Sequence, residues 1–222
     1  MSRLRLHSYW RSSAAYRVRI ALHLKGLDFD TVPVHLMRNG GEQFSPVYRA
    51  LNPQARVPTL VTPGGVLTQS TAILEWLEEA HPKPALLPGT ASERARVRAM
   101  AQLIAADIQP LQNVAVLRYL QETLHLDDAG VKTWCREWIG RGLGAFEELL
   151  AREPGHDSGG GDFCFGATPT LADVCLIPQC ASSRRLGVDL GAYPRIARIE
   201  QACNALPAFH AAAPDQQPDA AA

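Results

Sequence analysis

The chain has 222 residues, 46% hydrophobic and 7% aromatic, with 22 basic and 22 acidic side chains and a formal net charge of zero. This is a soluble globular composition, long enough for one large domain or two small ones and for a core that needs no disulfide or metal staple. Zero net charge removes the simplest argument for a nucleic-acid partner, which favours a clearly basic face.

Up to about residue 82 short extended runs alternate with helical ones. Arg3 to Ser8 alternates apolar and polar residues as a strand does, and Ala14 to Lys25 carries a helical stripe that stops at Gly26. A second strand covers Phe29 to Leu36. A loop with Gly40 and Gly41 leads to the short stretch Phe44 to Leu51, then to Val57–Val61 and, after Pro63-Gly64-Gly65, to Val66-Leu67, which read as a hairpin. Gln69 to Ala80 closes the unit as a helix with Ile73, Leu74 and Leu77 inward. The order is βαβ followed by ββα.

The three prolines of Pro82 to Gly89 mark an extended connection and a domain boundary. Ser92 then reads as the N-cap of a long amphipathic helix carrying Val97, Met100, Ala101, Ile104, Ile108 and Leu111, kinked near Pro110. Another helix spans Asp128 to Arg152, with Val131, Trp134, Trp138, Phe146 and Leu149 inward. The loop Pro154 to Phe165, with Gly159-Gly160-Gly161, reads as mobile. Thr170 and Asp173 form a capping-box start to a third helix through Leu186, a final helix covers Pro194 to Asn204, and the Ala-rich tail from Ala211 reads as frayed.

The uncharged stretch Val57 to Leu74 contains Pro58, Pro63, Gly64, Gly65 and four threonines, so no membrane span is expected. The basic start at Arg3 and Arg5 meets His7, Ser8 and Arg11 before any apolar core of an export signal develops. Five cysteines without a CxxC pair fit reduced cytosolic thiols, and seven histidines without a ligand spacing give no metal site.

Four places could carry chemistry. Trp10-Arg11-Ser12-Ser13-Ala14 lies where the first strand meets the first helix, where hydroxyls and free N–H groups can hold an anion or Ser12 or Ser13 can simply cap the helix. At Val57-Pro58 a cis bond would leave backbone N–H and C=O groups facing a groove, and a trans bond is the ordinary alternative. Gln69-Ser70 can cap the next helix or take a carboxylate. Arg11 and Arg185 can hold carboxylates bidentately, or remain solvated.

Together these residues resemble the glutathione transferase superfamily, and most closely its zeta class, the maleylacetoacetate and maleylpyruvate isomerases. The run Tyr9 to Leu22, YWRSSAAYRVRIAL, is similar to the class signature SSCxxRVRIAL. Ala50-Leu51-Asn52-Pro53-Gln54 with Val57-Pro58-Thr59-Leu60, Gln69-Ser70, Gln109-Pro110-Leu111-Gln112-Asn113 and Thr170-Leu171-Ala172-Asp173 follow in order, so the likeness spans nearly the whole chain. It implies an α+β protein: a thioredoxin-like glutathione-binding domain over 1–83, built on a mixed four-stranded sheet, and an all-helical substrate-site domain over 92–215. It also implies a cytoplasmic homodimer.

Carried over by the resemblance, Ser12 bonds the glutathione sulfur, Ser13 assists, and Val57, Gln69, Ser70, Gln43 and Gln112 hold the rest of the tripeptide. Arg11 and Arg185 face a dicarboxylic keto acid. The implied activity is glutathione-dependent isomerisation of maleylpyruvate or maleylacetoacetate to the fumaryl isomer in the breakdown of aromatic compounds. A glutathione transferase or dehalogenase acting on small α-halo acids, and a non-catalytic glutathione-binding protein, are the alternatives. Ala14 stands where the signature has cysteine, which removes a protein thiol from the site and weighs against the dehalogenase.

Overall fold

The computed structural model describes residues 3–154 and 161–220. By its internal contacts the chain divides into two units, Met1–Leu86 with Ala205–Ala222, and Leu87–Asn204. The first differs from the expected boundaries, because the last segment of the chain belongs with the N-terminal part rather than with a helical domain running to 215.

The first unit is built on four strands, β1 (Leu4–Ser8), β2 (Phe29–Pro33), β3 (Thr59–Thr62) and β4 (Gly65–Thr68), in the order β2-β1-β3-β4. β1 and β2 run parallel, joined through helix α1 (Ser13–Leu24), while β1/β3 and β3/β4 are antiparallel. This is the mixed sheet that the βαβ-ββα order requires. β2 ends three residues sooner than the alternation suggested. Pro33 lacks a donor, and after Val34 gives its N–H to Ser8 O the chain turns on the His35 ring, whose Nδ1 accepts from Met37 and Arg38. β3 starts at Thr59, two residues after the expected start.

The stretch Phe44–Leu51 is mostly a short helix α2 (Pro46–Leu51), preceded by a single turn over Glu42–Phe44, with Ser45 capping the helix and Pro46 at its first position. α1 stops where Gly26 takes φ +63°, a turn conformation that costs glycine little. Ala15 to Leu22 are buried on every side of α1, Arg17 and Arg19 included. The reason is that α1 packs against both α3 (Ser70–Ala80) and a helix absent from the sequence reading, α9 (Pro207–Ala212). The tail from Ala211 is accordingly not frayed: Ala212 O accepts from Arg19 Nε at 2.9 Å, and Asp219 Oδ2 accepts from Trp10 N–H at 3.0 Å.

The second unit is helical: α4 (Ala91–Gln102), α5 (Val114–Glu122), α6 (Asp128–Arg152), α7 (Leu171–Arg185) and α8 (Pro194–Asn204). α4 is capped by Thr90 rather than Ser92, in a reciprocal box with Glu93, which satisfies two first-turn groups at once. The expected kink near Pro110 is a change of winding, wide over Leu103–Ile108 and tight over Gln109–Gln112. α5 was not foreseen. On α6 the buried face is Val131, Cys135, Ile139, Leu143, Phe146 and Leu150, so Trp134, Trp138 and Leu149 lie at its half-buried flank rather than at its centre. Asp173 opens α7 as expected, accepting from Thr170 N–H and hydroxyl and from Cys164 N–H. Burial nevertheless raises its carboxyl above the usual carboxylate range, those hydrogen bonds only opposing the shift. Residues 155–160 of the expected mobile loop lie outside the described residues. Among the described residues no helix is long and apolar enough to cross a membrane, and no group of His, Cys, Asp and Glu is placed to hold a metal.

Candidate active site

The turn between β1 and α1 is closed by Ser12 N–H donating to Tyr9 O at 2.9 Å. Ser12 has extended backbone and caps α1, its Oγ accepting from Ala15 N–H at 3.2 Å. Capping does not exhaust the hydroxyl. The oxygen accepts with a lone pair, and its own proton remains to donate to an anion at the same helix end. Ser13 is the first residue of α1 and half-buried. Arg11 is exposed, its guanidinium 5.1 Å from the Trp10 ring centre, and among the described residues it makes no hydrogen bond.

Tyr9, Val34, Tyr48 and Val57 form one apolar cluster, with Trp10 and Leu36 packed on it. The approach to Val57 is pinned by Asn52 Nδ2 and the Tyr48 hydroxyl, which both donate to Arg56 O, at 2.8 and 2.6 Å. The Val57-Pro58 bond is cis. Val57 precedes the β3 ladder, and its N–H and C=O have no hydrogen-bond partner among the described residues. Gln43 is buried, its Nε2 donating to Leu36 O at 3.3 Å while Oε1 has no partner among the described residues.

α3 begins at Gln69, whose φ of +67° is left-handed, a region that costs a non-glycine residue about 1–3 kcal/mol. No side chain caps α3, so the N–H groups of its first turn are open. Beneath them the buried Arg17 donates from Nη1 to Ser70 Oγ at 3.3 Å, adding a full positive charge to the helix dipole. Gln69 Nε2 donates to Gln54 Oε1 at 2.8 Å. Sequence reading passed over Arg17 and Gln54 as members of motifs. The signal available for Arg17 was a charge inside an otherwise apolar helical run.

The first unit therefore carries a serine at one helix N-terminus, an open helix N-terminus over an arginine, and an unpaired backbone segment. A cavity of about 670 Å³ beside β2, with His7, Glu42, Phe44 and Val47 in its wall, contains none of the expected site residues. In the second unit Gln112 Nε2 donates to Gln179 Oε1 at 2.6 Å, and Gln179, wholly buried, donates to Ser183 Oγ. Arg185, at the end of α7, reaches Ser182 Oγ at 3.5 Å, whereas its neighbour Arg184 is committed to Glu200. The five cysteines are all free and buried, and burial pushes the thiols of Cys164 and Cys180 well up, which makes them unreactive.

Residues 11–80 match the glutathione S-transferase N-terminal domain and residues 116–202 the corresponding C-terminal domain. The chain belongs to the glutathione S-transferase family, in its zeta class. It is 49% identical to a maleylacetoacetate isomerase of Pseudomonas aeruginosa over 97% of this chain and 98% of that one. A solved bacterial maleylpyruvate isomerase, a glutathione S-transferase of the zeta class, superposes with a TM-score of 0.92 at 47% identity, covering 97% and 99% of the two chains. The maleylacetoacetate isomerase of Anaeromyxobacter dehalogenans, solved with glutathione in its active site, gives 0.85 at 47% identity over 98% of both chains.

Proposed function

We propose that the protein is a glutathione-dependent cis–trans isomerase, converting maleylpyruvate or maleylacetoacetate to the fumaryl isomer. The observation that carries this reading is Ser12 at the N-terminus of α1 in a chain that matches isomerases of these names along nearly its whole length. The groups left open in the first unit fit the tripeptide. Val57 N–H and C=O suit a peptide unit, the first turn of α3 over Arg17 suits an α-carboxylate, and the unpaired Gln43 Oε1 suits an N–H donor. When bound, glutathione supplies a thiolate that adds reversibly to the carbon–carbon double bond and so frees it to rotate.

The chain's own residues make that thiolate available and orient what it attacks. A thiol of pKa about 8.5 is only a few per cent ionised at pH 7, and a depression of about two units, roughly 2.7 kcal/mol, makes the thiolate the majority form. The Ser12 hydroxyl donates to the sulfur, with Ser13 assisting, and the α1 dipole favours the same charge. Arg11, with its guanidinium otherwise unbonded among the described residues, takes a substrate carboxylate and offsets charge that develops on the substrate. Gln69 and Ser70 hold the γ-glutamyl end; by the same resemblance Gln112 is assigned to glutathione and Arg185 to the substrate. The reading includes a homodimer acting in the cytoplasm, where five free cysteines stay reduced, on a dicarboxylic product of aromatic-ring breakdown.

The test is the isomerisation rate of both substrates with and without glutathione, with free thiol counted at the end. Glutathione-dependent turnover with the thiol conserved is expected. Consumption of thiol or release of halide from α-halo acids, without isomerisation, would make the protein a transferase or dehalogenase, and binding without turnover a binding protein.

A further inference from the structure

We infer that the C-terminal segment 205–219 is a positioning element for the turn Tyr9–Ser12, acting through Asp219 and Arg19. The inference rests on the assignment of Ser12 and Arg11 above, since these are the residues the turn carries.

The turn has almost no freedom left once its backbone groups are followed to their partners. Tyr9 O accepts from Ser12 N–H at 2.9 Å and from Arg19 Nη1 at 3.4 Å. Trp10 O accepts from Arg19 Nη2 at 3.2 Å, and Trp10 N–H donates to Asp219 Oδ2 at 3.0 Å. Trp10 and Arg11 are the central residues of this turn, and Ser12 is both its last residue and the cap of α1. Two side chains thus fix the peptide units that aim Arg11 and deliver Ser12.

Both fixing side chains depend on the chain's end. Arg19 is fully buried, and its Nε donates to Ala212 O, so the guanidinium fork bridges the turn and the last residue of α9. The Tyr16 hydroxyl donates to Phe209 O from the same face of α1. Beyond α9, Gln217 Nε2 donates to Ala211 O at 3.0 Å and to Ala213 O at 2.9 Å, which folds the tail back on the helix and sets Asp219 against Trp10. Asp219 is itself buried, and its Oδ1 has no hydrogen-bond partner among the described residues. A carboxylate is costly to bury, and here it is offset by one N–H and by the charge of Arg19. Burial pulls Arg19 down to about 10, with Tyr16 and Asp219 opposing the shift, so the guanidinium stays charged at neutral pH. A segment needed only to cover α1 would require α9 and none of this polar contact with the turn.

The experiment compares full-length protein with Asp219→Ala, Asp219→Asn and a chain ending at Pro218. Three quantities are read: amide hydrogen exchange of residues 9–13 without glutathione, the thiolate absorbance of bound glutathione against pH, and kcat with KM. For Asp219→Ala the turn amides should exchange about tenfold faster, the thiolate half-titration should rise by about one pH unit, and kcat at pH 7 should fall about threefold with KM within about twofold. Asp219→Asn keeps an acceptor for Trp10 N–H and should restore most of all three. A lowered melting temperature with unchanged exchange, titration and kcat would overturn the inference and make the tail a purely structural cover. If Asp219→Ala fails to fold, the chain ending at Pro218 and Asp219→Asn carry the same comparison. Should wild type show no isomerisation, the exchange arm still decides the role of the tail, and the failure belongs to the assigned activity.

Discussion

Replacing Ser12 with alanine removes one oxygen that has two jobs, and the two losses can be separated. The first is structural: Oγ accepts from Ala15 N–H at 3.2 Å, and losing an N-cap costs about 1 kcal/mol, or about 2–4 °C of melting temperature in a chain of this size. The second is chemical. A hydrogen bond to a charged group contributes about 1.5–3 kcal/mol, so its loss raises the pKa of the bound thiol by about 1–2 units. Starting from about 6.5, the thiolate fraction at pH 7 falls from about three quarters to between about 20% and 2%, a loss of roughly 4- to 40-fold in turnover. A more basic thiolate is the better nucleophile per ion, which moves the expected loss toward the smaller figure. The deficit should shrink to less than about twofold near pH 9, where even the raised pKa leaves most of the thiol ionised. Isomerisation rates and thiolate absorbance followed from pH 6 to 9 supply the assay. A variant that melts lower but titrates its thiol like wild type would refute the reasoning and leave Ser12 as a helix cap only.

Three further expectations concern stability. Lys25 Nζ, fully buried, donates to Glu78 Oε2 at 2.9 Å, His81 O at 2.7 Å and Pro84 O at 2.9 Å, so Lys25→Met should cost about 3–5 kcal/mol in a denaturant titration, with much of it recovered by adding Glu78→Leu. Gly142→Ala should destabilise by about 1–3 kcal/mol although alanine favours helices, because its Cβ would lie 2.2 Å from Cδ1 of the buried Ile108; Gly144→Ala, with nothing within 4 Å, should instead be neutral or stabilising in the same thermal melt. Hydrogen bonds from the Thr90 backbone N–H and hydroxyl hold the Glu93 carboxyl below its ordinary range, so the capping contribution is complete above the unfolded value and lost as pH falls through the lowered one. Melting curves of wild type and Glu93→Gln should therefore converge as pH falls through that range, and a constant gap down to low pH would contradict it.

The order of strands and helices was legible because periodicity changes at each element, from two in the sheet to near four in α3, α6 and α8. What escaped is what has no local signature. α5 is the exception: Asn113 caps it and its apolar residues share a face, but it is nine residues long and buries only Leu120, so it adds little to the core stripes that the reading followed. The tail resembles a frayed end in composition, and its partners Tyr16, Arg19 and Trp10 lie 193 and 209 positions away. On α6 the apolar residues allow two neighbouring stripes; packing chose the one through Cys135 and Ile139 over the bulkier tryptophans, and Trp134 instead gives its Nε1–H to Leu111 O. Thr90 was readable in principle, since Glu93 stands three residues on, and Ser92 merely competed for the same role.

Several of the places where this sequence breaks a local rule lie at the candidate site, although the left-handed Asn39 and His125 and Pro178 inside α7 do not. Arg17 and Arg19 put two charges inside a helix that is otherwise apolar on every side, at a desolvation cost that a methionine or leucine would avoid. Gln69 is held left-handed where glycine would sit without strain, and Val57 leaves two backbone groups unpaired beside a sheet that could have used them. Each exception at the site ends on a different part of one arrangement: Arg17 under the open turn of α3, Arg19 on the carbonyls that precede Ser12, Gln69 at the head of α3. Replacing Arg17 or Arg19 by a neutral residue of equal reach separates the alternatives. If the charges serve only the core, a well-packed substitute should leave glutathione binding intact, whereas an arrangement built for the ligand predicts weaker binding from the change at 17 and a raised thiol pKa from the change at 19.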